Sequence, residues 1–497
     1  MKLFKKLASF ILAFAMVAAI AMPSVVMADE TYKLTLNNTT TGHTYEVYQI
    51  FSGKLTTKDD KKILSDLEWG TGVKEDAYPD TTAKAKAEGL KTADNAKDFA
   101  KELVDGKKLN SPTKTTISTQ NTTIIDGLAP GYYLVKDTDK SLSEKADSYT
   151  SYILEVVGDA TANLKSDVPS SEKKVKDIND SKDAATGEWQ DAADWDIGDK
   201  VPFKIEGTLP NNYDSYKKYT LKFHDQEENG LTFNEDSVHV FIDNNEIKTG
   251  YIVVTKGLTD ECTFEVVFDD LKSTEAHNGS VVRVEYTSTL NSDAKLGKPG
   301  NKNTMYMEFS NNPNSEQGGE TGKTPEDTVI VFTYKVTVNK VNENNENLGG
   351  ATFTLEKKIK GNPDTWKEIA KVDGTANYLF EFNGIDDGEY RLTETKAPDG
   401  YDKLANPIYF TVSAGHVDGD DPHLESLTGN INSGNIGNMK FASNVDDGIL
   451  STTVQNKPGS SLPSTGGMGT TVLYVAGTLM IIAAAAFLVM KKKAENK

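Results

Sequence analysis

Between residues 201 and 290 the chain runs through VPFKIEGTLP, YTLKFHD, VHVFID, CTFEVVFDD and SVVRVEYTSTL. These short stretches are rich in Val, Tyr, Phe and Thr and are parted by Asn, Asp and Gly turns. β-Branched and aromatic residues suit a pleated, half-buried surface, and strands spaced this regularly pack as two facing sheets. This constrains residues 167–325 to an all-β sandwich. The same alternation recurs on both sides. Residues 29–166 open with YKLTLNN and HTYEVYQIF and return to strands at TTIIDGLAPGYYLVKD and SYILEVVGD. Between them, TTAKAKAEGLKTADNAKDFAKELVDG is dominated by Ala, Lys, Leu and Glu, and Phe99, Leu103 and Val104 could line one helical face. Residues 326–458 alternate again in YKVTVNKV and ATFTLEKK, with the loop NENNENLGG between them. The expected class is therefore all-β: tandem immunoglobulin-like β-sandwich domains, the first with a helical insertion. The polar stretch NNPNSEQGGETGKTPED reads as the connection out of the middle domain.

The two ends place this string of domains outside the cell. Lys2, Lys5 and Lys6, then LASFILAFAMVAAIAM, then VMA before Asp29 form the basic, apolar and small-residue parts of a secretory signal over residues 1–28. Near the other end, residues 470–490 are uncharged and about long enough for a helix to cross ~30 Å of hydrocarbon. Lys491, Lys492 and Lys493 follow and stay on the cytoplasmic side by the positive-inside tendency. Gly459 to Ser461 form a short flexible spacer before this tail, which spans 459–497.

Composition removes several function classes. An exported chain can form disulfides, yet Cys262 is the only cysteine, so stability must come from elsewhere. A net charge of -20, with no long basic stretch outside the termini, argues against nucleic acid. Six scattered histidines show no HExxH or other metal spacing, and DINDSKD and DGDD lack the Gly and terminal Glu of an EF-hand loop. No metal and no cofactor are expected. GxSxG and GxxxxGKS are absent, so an enzyme acting on an external substrate is not expected.

Leu462, Pro463, Ser464, Thr465 and Gly466 match the LPXTG sorting signal of Gram-positive cell-wall proteins, in which pentapeptide, hydrophobic span and basic tail occur together. The resemblance implies that a sortase cysteine attacks the Thr465 carbonyl, cleaves before Gly466 and passes the new C-terminus to an amine.

Farther upstream, YRLTETKAPDGY (390 to 401) resembles the E-box of collagen-adhesin B-type domains in Gram-positive pilins. VTVNKV, carrying Lys340, and TTVQN, carrying Asn456, match the companions of that motif. The resemblance implies an intramolecular isopeptide bond between Lys340 and Asn456, promoted by Glu394. Such a bond needs a neutral lysine, and burial disfavours the charged form. A protonated Glu394 could then donate to the Asn456 carboxamide oxygen, polarise its carbon and relay protons as ammonia leaves. Alternation in VTVNKV sets Lys340 on the same face as Val336 and Val338.

The middle domain opens with PSSEKKVKD, continues through YTLKFHDQEENG and ends at NTMYMEFSNNPN. It resembles the middle domain of backbone pilins, which implies a bond from Lys173 to Asn311 near Asp225, with Lys174 and Asn312 as adjacent alternatives. In polymerising pilins the sortase product is passed to a lysine at the end of the first domain. That lysine corresponds here to Lys165, in NLK where the usual motif reads YPK. Nearly the full length thus resembles a backbone pilin, a structural subunit joined head to tail through Thr465. The implied partners are identical subunits, ancillary pilins, sortase and peptidoglycan, with host surface ligands left open. A monomeric wall-anchored adhesin would carry the same sorting signal, and the acceptor lysine discriminates between the two.

Overall fold

A computed structural model describes residues 31–58, 61–142, 145–150, 152–157, 159–164, 167–183, 187–374, 377–434, 439–460 and 468–495. The expected signal at 1–28, Lys165 and the pentapeptide Leu462, Pro463, Ser464, Thr465 and Gly466 lie outside the described residues.

Strand follows strand through three packed bodies, in keeping with the all-β expectation. In the first, strand Gly131–Asp137 is buried at every position, because it has cores on both faces. Tyr133 and Val135 join Leu34, Tyr45, Val47 and Ile125 beneath a three-stranded sheet, whereas Tyr132 and Leu134 join Tyr48, Phe51, Phe99 and Leu103 under the helices. The expected insertion forms helices Ala83–Glu88 and Ala93–Asp105, with Thr82 and Thr92 as side-chain N-caps. Phe99 and Leu103, four residues apart, share the buried face, and Val104 packs beside them. The result has three layers, helices on sheet on sheet, because the long strand Thr44–Lys58 is amphipathic to neither side: Val47 feeds one core and Tyr48 the other.

The middle body is a sandwich of two seven-stranded sheets. One carries Ser170–Asp177, Lys200–Thr208 and Val281–Leu290 side by side, and the other carries Asp327–Phe332, Asn301–Ser310, Leu221–Glu227 and Phe264–Phe268. Alternation is strict in Val281–Leu290, whose even-numbered residues from Val282 to Leu290 are buried. Strand Asp327–Phe332 continues the sandwich beyond the boundary expected at 325. Its alternate residues serve two cores, Val329 and Val331 the middle one and Ile330 and Phe332 the third.

In the third body, sheet Leu379–Ile385, Tyr334–Val341, Ile449–Gln455, Ala442–Asn444 faces a five-stranded sheet that contains Gly388–Lys396. First and last strands are parallel neighbours, with Lys340 opposite Val454.

The joints are polar and ordered. Residues 311–320 do not run free: Tyr149 N donates to Asn311 O at 2.7 Å, Tyr149 Oη to Glu320 at 2.6 Å, and Lys101 pairs with Glu316 at 2.7 Å. The stretch read as a connection instead fastens the first body to the middle one. At the second joint the Lys357 ammonium, fully buried, meets Asp386 of its own domain and Asp196 and Asp180 of the middle domain at 3.1 and 3.3 Å. Gly384, at φ +75, lets the backbone approach so closely that a Cβ would lie 2.5 Å from the Ile197 side chain. A 28-residue helix, Met468–Glu495, closes the chain and carries the apolar span expected at 470–490.

Candidate crosslinking sites and relatives

The third domain brings Lys340, Glu394 and Asn456 together in its core. Lys340 lies on the face of Tyr334–Val341 shared with Val336 and Val338, and Glu394 comes from Gly388–Lys396 of the opposite sheet. Asn456 directly follows the last strand. All three are buried, at 0%, 2% and 1% exposure. Lys340 Nζ donates to Asn456 Oδ1 at 2.6 Å and to Val454 O at 3.2 Å. Asn456 Nδ2 donates to Glu394 Oε1 and Oε2 at 3.0 and 3.1 Å, and Leu404 N holds Oε2 at 2.8 Å. Burial lowers the Lys340 ammonium to about 8, against the opposing charge of Glu394. One expectation changes: Glu394 faces the amide nitrogen that would leave, while the carboxamide oxygen belongs to Lys340.

The middle domain holds a second cluster across its sandwich. Lys173 on Ser170–Asp177 and Tyr286 on Val281–Leu290 project from one sheet, and Asp225 on Leu221–Glu227 and Asn303 on Asn301–Ser310 project from the other. Lys173, Asp225 and Asn303 have no exposed surface. Lys173 Nζ bonds Asp225 Oδ2 and lies 2.6 Å from Tyr286 Oη, which donates to Asp225 Oδ2 at 2.7 Å. Asn303 Nδ2 donates to the same Tyr286 Oη at 2.9 Å. Asn303 Oδ1 and Asp225 Oδ1 are buried without a hydrogen-bond partner, and such orphaned groups are costly unless the site has a further use for them. Burial pushes the lysine down and the aspartate up, so both lean toward neutral forms, each opposed by the partner's charge. Glu227, opposite Asn303 on the neighbouring strand, is raised to about 8 by burial and by Asp225.

Asn311 does not meet Lys173. It lies past the end of Asn301–Ser310, and its side chain donates instead to Leu142 O at 2.8 Å and Asp147 O at 3.3 Å in the first domain. Asn312 caps its own turn by accepting from Asn314 N. Lys174 points to the opposite face, paired with Asp191. The residue passed over is Asn303, and a signal for it existed. In NKNTMYMEFS the alternate residues Asn301, Asn303, Met305, Met307 and Phe309 are all buried, which places an asparagine on the inward face.

Comparison with known proteins agrees with this architecture. Residues 334–422 match the prealbumin-like fold domain family SpaA, and residues 454–497 match the LPXTG cell wall anchor motif. The trypsin-resistant surface T6 protein of Streptococcus pyogenes serotype M6 is 22% identical, with 95% of this chain and 96% of that protein aligned. The solved T6 backbone pilin of the same serotype, described as a modular three-domain structure, superposes with a TM-score of 0.57 at 19% identity, covering 88% of this chain and all of that one. The full-length major pilin SpaD of Corynebacterium diphtheriae gives 0.53 at 19% identity over the same shares. The anchor motif marks the chain as a cell-wall-anchored surface protein, residues 334–422 form a prealbumin-like domain, and along most of its length the chain shares the fold of these solved backbone pilins.

Proposed function

We propose that this chain is the shaft subunit of a covalent pilus, joined head to tail by a sortase and locked internally by two isopeptide bonds. Thr465 of one subunit is transferred to Lys165 of the next, and a heterologous contact that does not close on itself produces a fibre. The observation that carries the reading is the buried Lys340, Asn456 and Glu394 triad, which bridges the first strand of its domain to the end of the last.

In that triad the neutral Lys340 amine attacks the Asn456 Cγ. A bond forms between Nζ and Cγ, the bond from Cγ to Nδ2 breaks, and one Nζ proton passes to the departing nitrogen, so that ammonia leaves. Glu394, seated on Nδ2, is placed to carry that proton. The folded strands supply the proximity, and the reaction occurs once per domain. In the middle domain the same roles fall to Lys173, Asn303 and Asp225. Transfer of a proton from the Lys173 ammonium to Asp225 yields the neutral nucleophile in place.

The bond from Lys340 closes 116 residues, and by the chain-entropy account a loop of that order contributes about 5 kcal/mol. This replaces the disulfides that a chain with one cysteine lacks.

Polymerisation is tested by Lys165→Ala in cells that display the protein. The expected outcome is loss of the high-molecular-weight ladder in boiled wall extracts while the monomer stays anchored. A ladder that persists moves the acceptor to another lysine, and a parent strain without any ladder sinks the polymer reading in favour of a monomeric adhesin.

A further inference from the structure

Outside both crosslinking clusters, the outer face of the middle domain carries a mixed nitrogen, sulfur and carboxylate site. His224 is on the central strand Leu221–Glu227, where Leu221, Phe223 and Asp225 point into the core. By alternation its own side chain faces outward, yet it is only 4% exposed. Tyr306, its cross-strand neighbour, stacks on the imidazole at 4.3 Å and 10°. Glu265 flanks it on the other side, and Asp260 and Cys262 come from the segment leading into Phe264–Phe268.

The donor atoms of His224, Asp260 and Cys262 already lie within 4.8 Å of one another. His224 Nδ1 is 2.8 Å from Asp260 Oδ2 and 3.3 Å from Glu265 Oε1, and Cys262 Sγ is 3.3 Å from Asp260 Oδ2. Bonds of about 2.0 to 2.3 Å to a tetrahedral ion put neighbouring ligands roughly 3.3 to 3.8 Å apart. These donors therefore need to open by only a few tenths of an ångström. The other ring nitrogen supplies an independent sign. Nε2 is buried, makes no aligned hydrogen bond, and sits 3.3 Å from Glu308 Oε2. A carboxylate behind the far nitrogen of a ligating imidazole fixes its tautomer in metal sites. Tyr306 Oη, at 2.9 Å from Asp260 Oδ2, orients the second ligand in the same way.

We propose that His224 Nδ1, Cys262 Sγ and Asp260 form a three-ligand binding site for a borderline transition-metal dication, Zn2+ being the best match, with the fourth position open to solvent. Imidazole with thiolate selects such ions over Ca2+ and Mg2+, which take oxygen shells. On binding, the Cys262 thiol proton and the Nδ1 proton that now bridges to Asp260 are displaced to solvent, and the ligating imidazole carries its proton on Nε2, facing Glu308. One carboxylate and one thiolate then balance the 2+ ion. Access is open from solvent, because the Asp260 side chain is 31% exposed. The ion would tie the Asp260 to Cys262 segment to the sheet.

The test uses the full chain, purified in detergent without a polyhistidine tag and titrated with Co2+ and with Zn2+. One Co2+ per chain should bind, with the visible absorption of a tetrahedral ion and a near-ultraviolet thiolate charge-transfer band, and Zn2+ should displace it. Cys262→Ser, a change at a half-exposed position, should abolish the charge-transfer band. Glu308→Gln should keep the band and weaken Zn2+ binding by about 10- to 100-fold. Absence of a thiolate band in the parent, or Zn2+ binding by Cys262→Ser that equals the parent, overturns the proposal.

Discussion

The two crosslinking clusters use the same residue types and are wired differently. In the third domain the lysine touches its asparagine directly, and the carboxylate holds the far side of the same amide. In the middle domain the lysine is paired with its carboxylate, and the asparagine is reached only through the Tyr286 hydroxyl. In the proposed crosslinking, one lysine would become neutral by losing a proton out of an apolar core, and the other by handing it to a neighbour within a desolvated pair. Their places in the chain differ as well. Asn456 is the last core residue of its domain, so a bond from Lys340 would leave only Tyr334 to Asn339 of that domain in the path of tension. Asn303 is followed by the rest of its strand and by Thr321–Lys323 and Asp327–Phe332, which stay under load. A crosslink protects only what lies between its ends.

The largest expected effect is covalent. Intact mass of the processed chain should fall short of the sequence by two ammonia molecules, and Asn303→Ala and Asn456→Ala should each restore one. Each variant should lose about 5 kcal/mol of stability in denaturant unfolding. Asn311→Ala should leave the mass deficit unchanged and disturb only the joint with the first domain. A full deficit in Asn303→Ala would return the middle bond to another asparagine.

A smaller effect separates the two ways of making a neutral amine. With the Lys340 ammonium at about 8, its neutral fraction rises with pH, and closure of the third domain should speed up by about 50-fold from pH 6 to pH 8 before levelling off. The sign follows from burial: the folded state prefers the form without the proton. Closure of the middle domain should change much less, because its proton moves within the Lys173 and Asp225 pair. Mass spectrometry on freshly synthesised chain held at the two pH values reads both rates. Parallel pH dependence in the two domains would erase the distinction.

The subtlest readout is mechanical. Single-molecule pulling should extend the third domain by nearly nothing and the middle domain by the segment after Asn303, on the order of 100 Å for roughly 30 residues at ~3.5 Å each. A middle domain as inextensible as the third would place its bond closer to the domain end.

Legibility in the sequence followed the range of the interactions. Helices at 83–105, strands throughout and an apolar terminal helix are local patterns, and all appear where periodicity puts them. Lys340, Glu394 and Asn456 could be grouped because the E-box stretch marks one strand and its companions mark the first and last. The middle domain has no such marker. Asn303 is inward by simple alternation, as is Asn301, but Asn301 spends its side chain on Lys295 O and Val331 O. The metal-type cluster escaped for the same reason: DECTFE offers Asp260 and Cys262, and the histidine lies 36 residues earlier.

By itself the sequence determined that the chain would be built of strands with one helical insertion, that it would be exported and anchored, and which residues of the third domain could serve as amine, amide and acid. Only the tertiary structure decided that Lys173 and Asn303 meet at the Tyr286 hydroxyl and that Asn311 is spent on the first domain. Alternation assigns a residue to a face, whereas the stagger of one sheet over the other, set by the packing of whole cores, decides which residues meet across it.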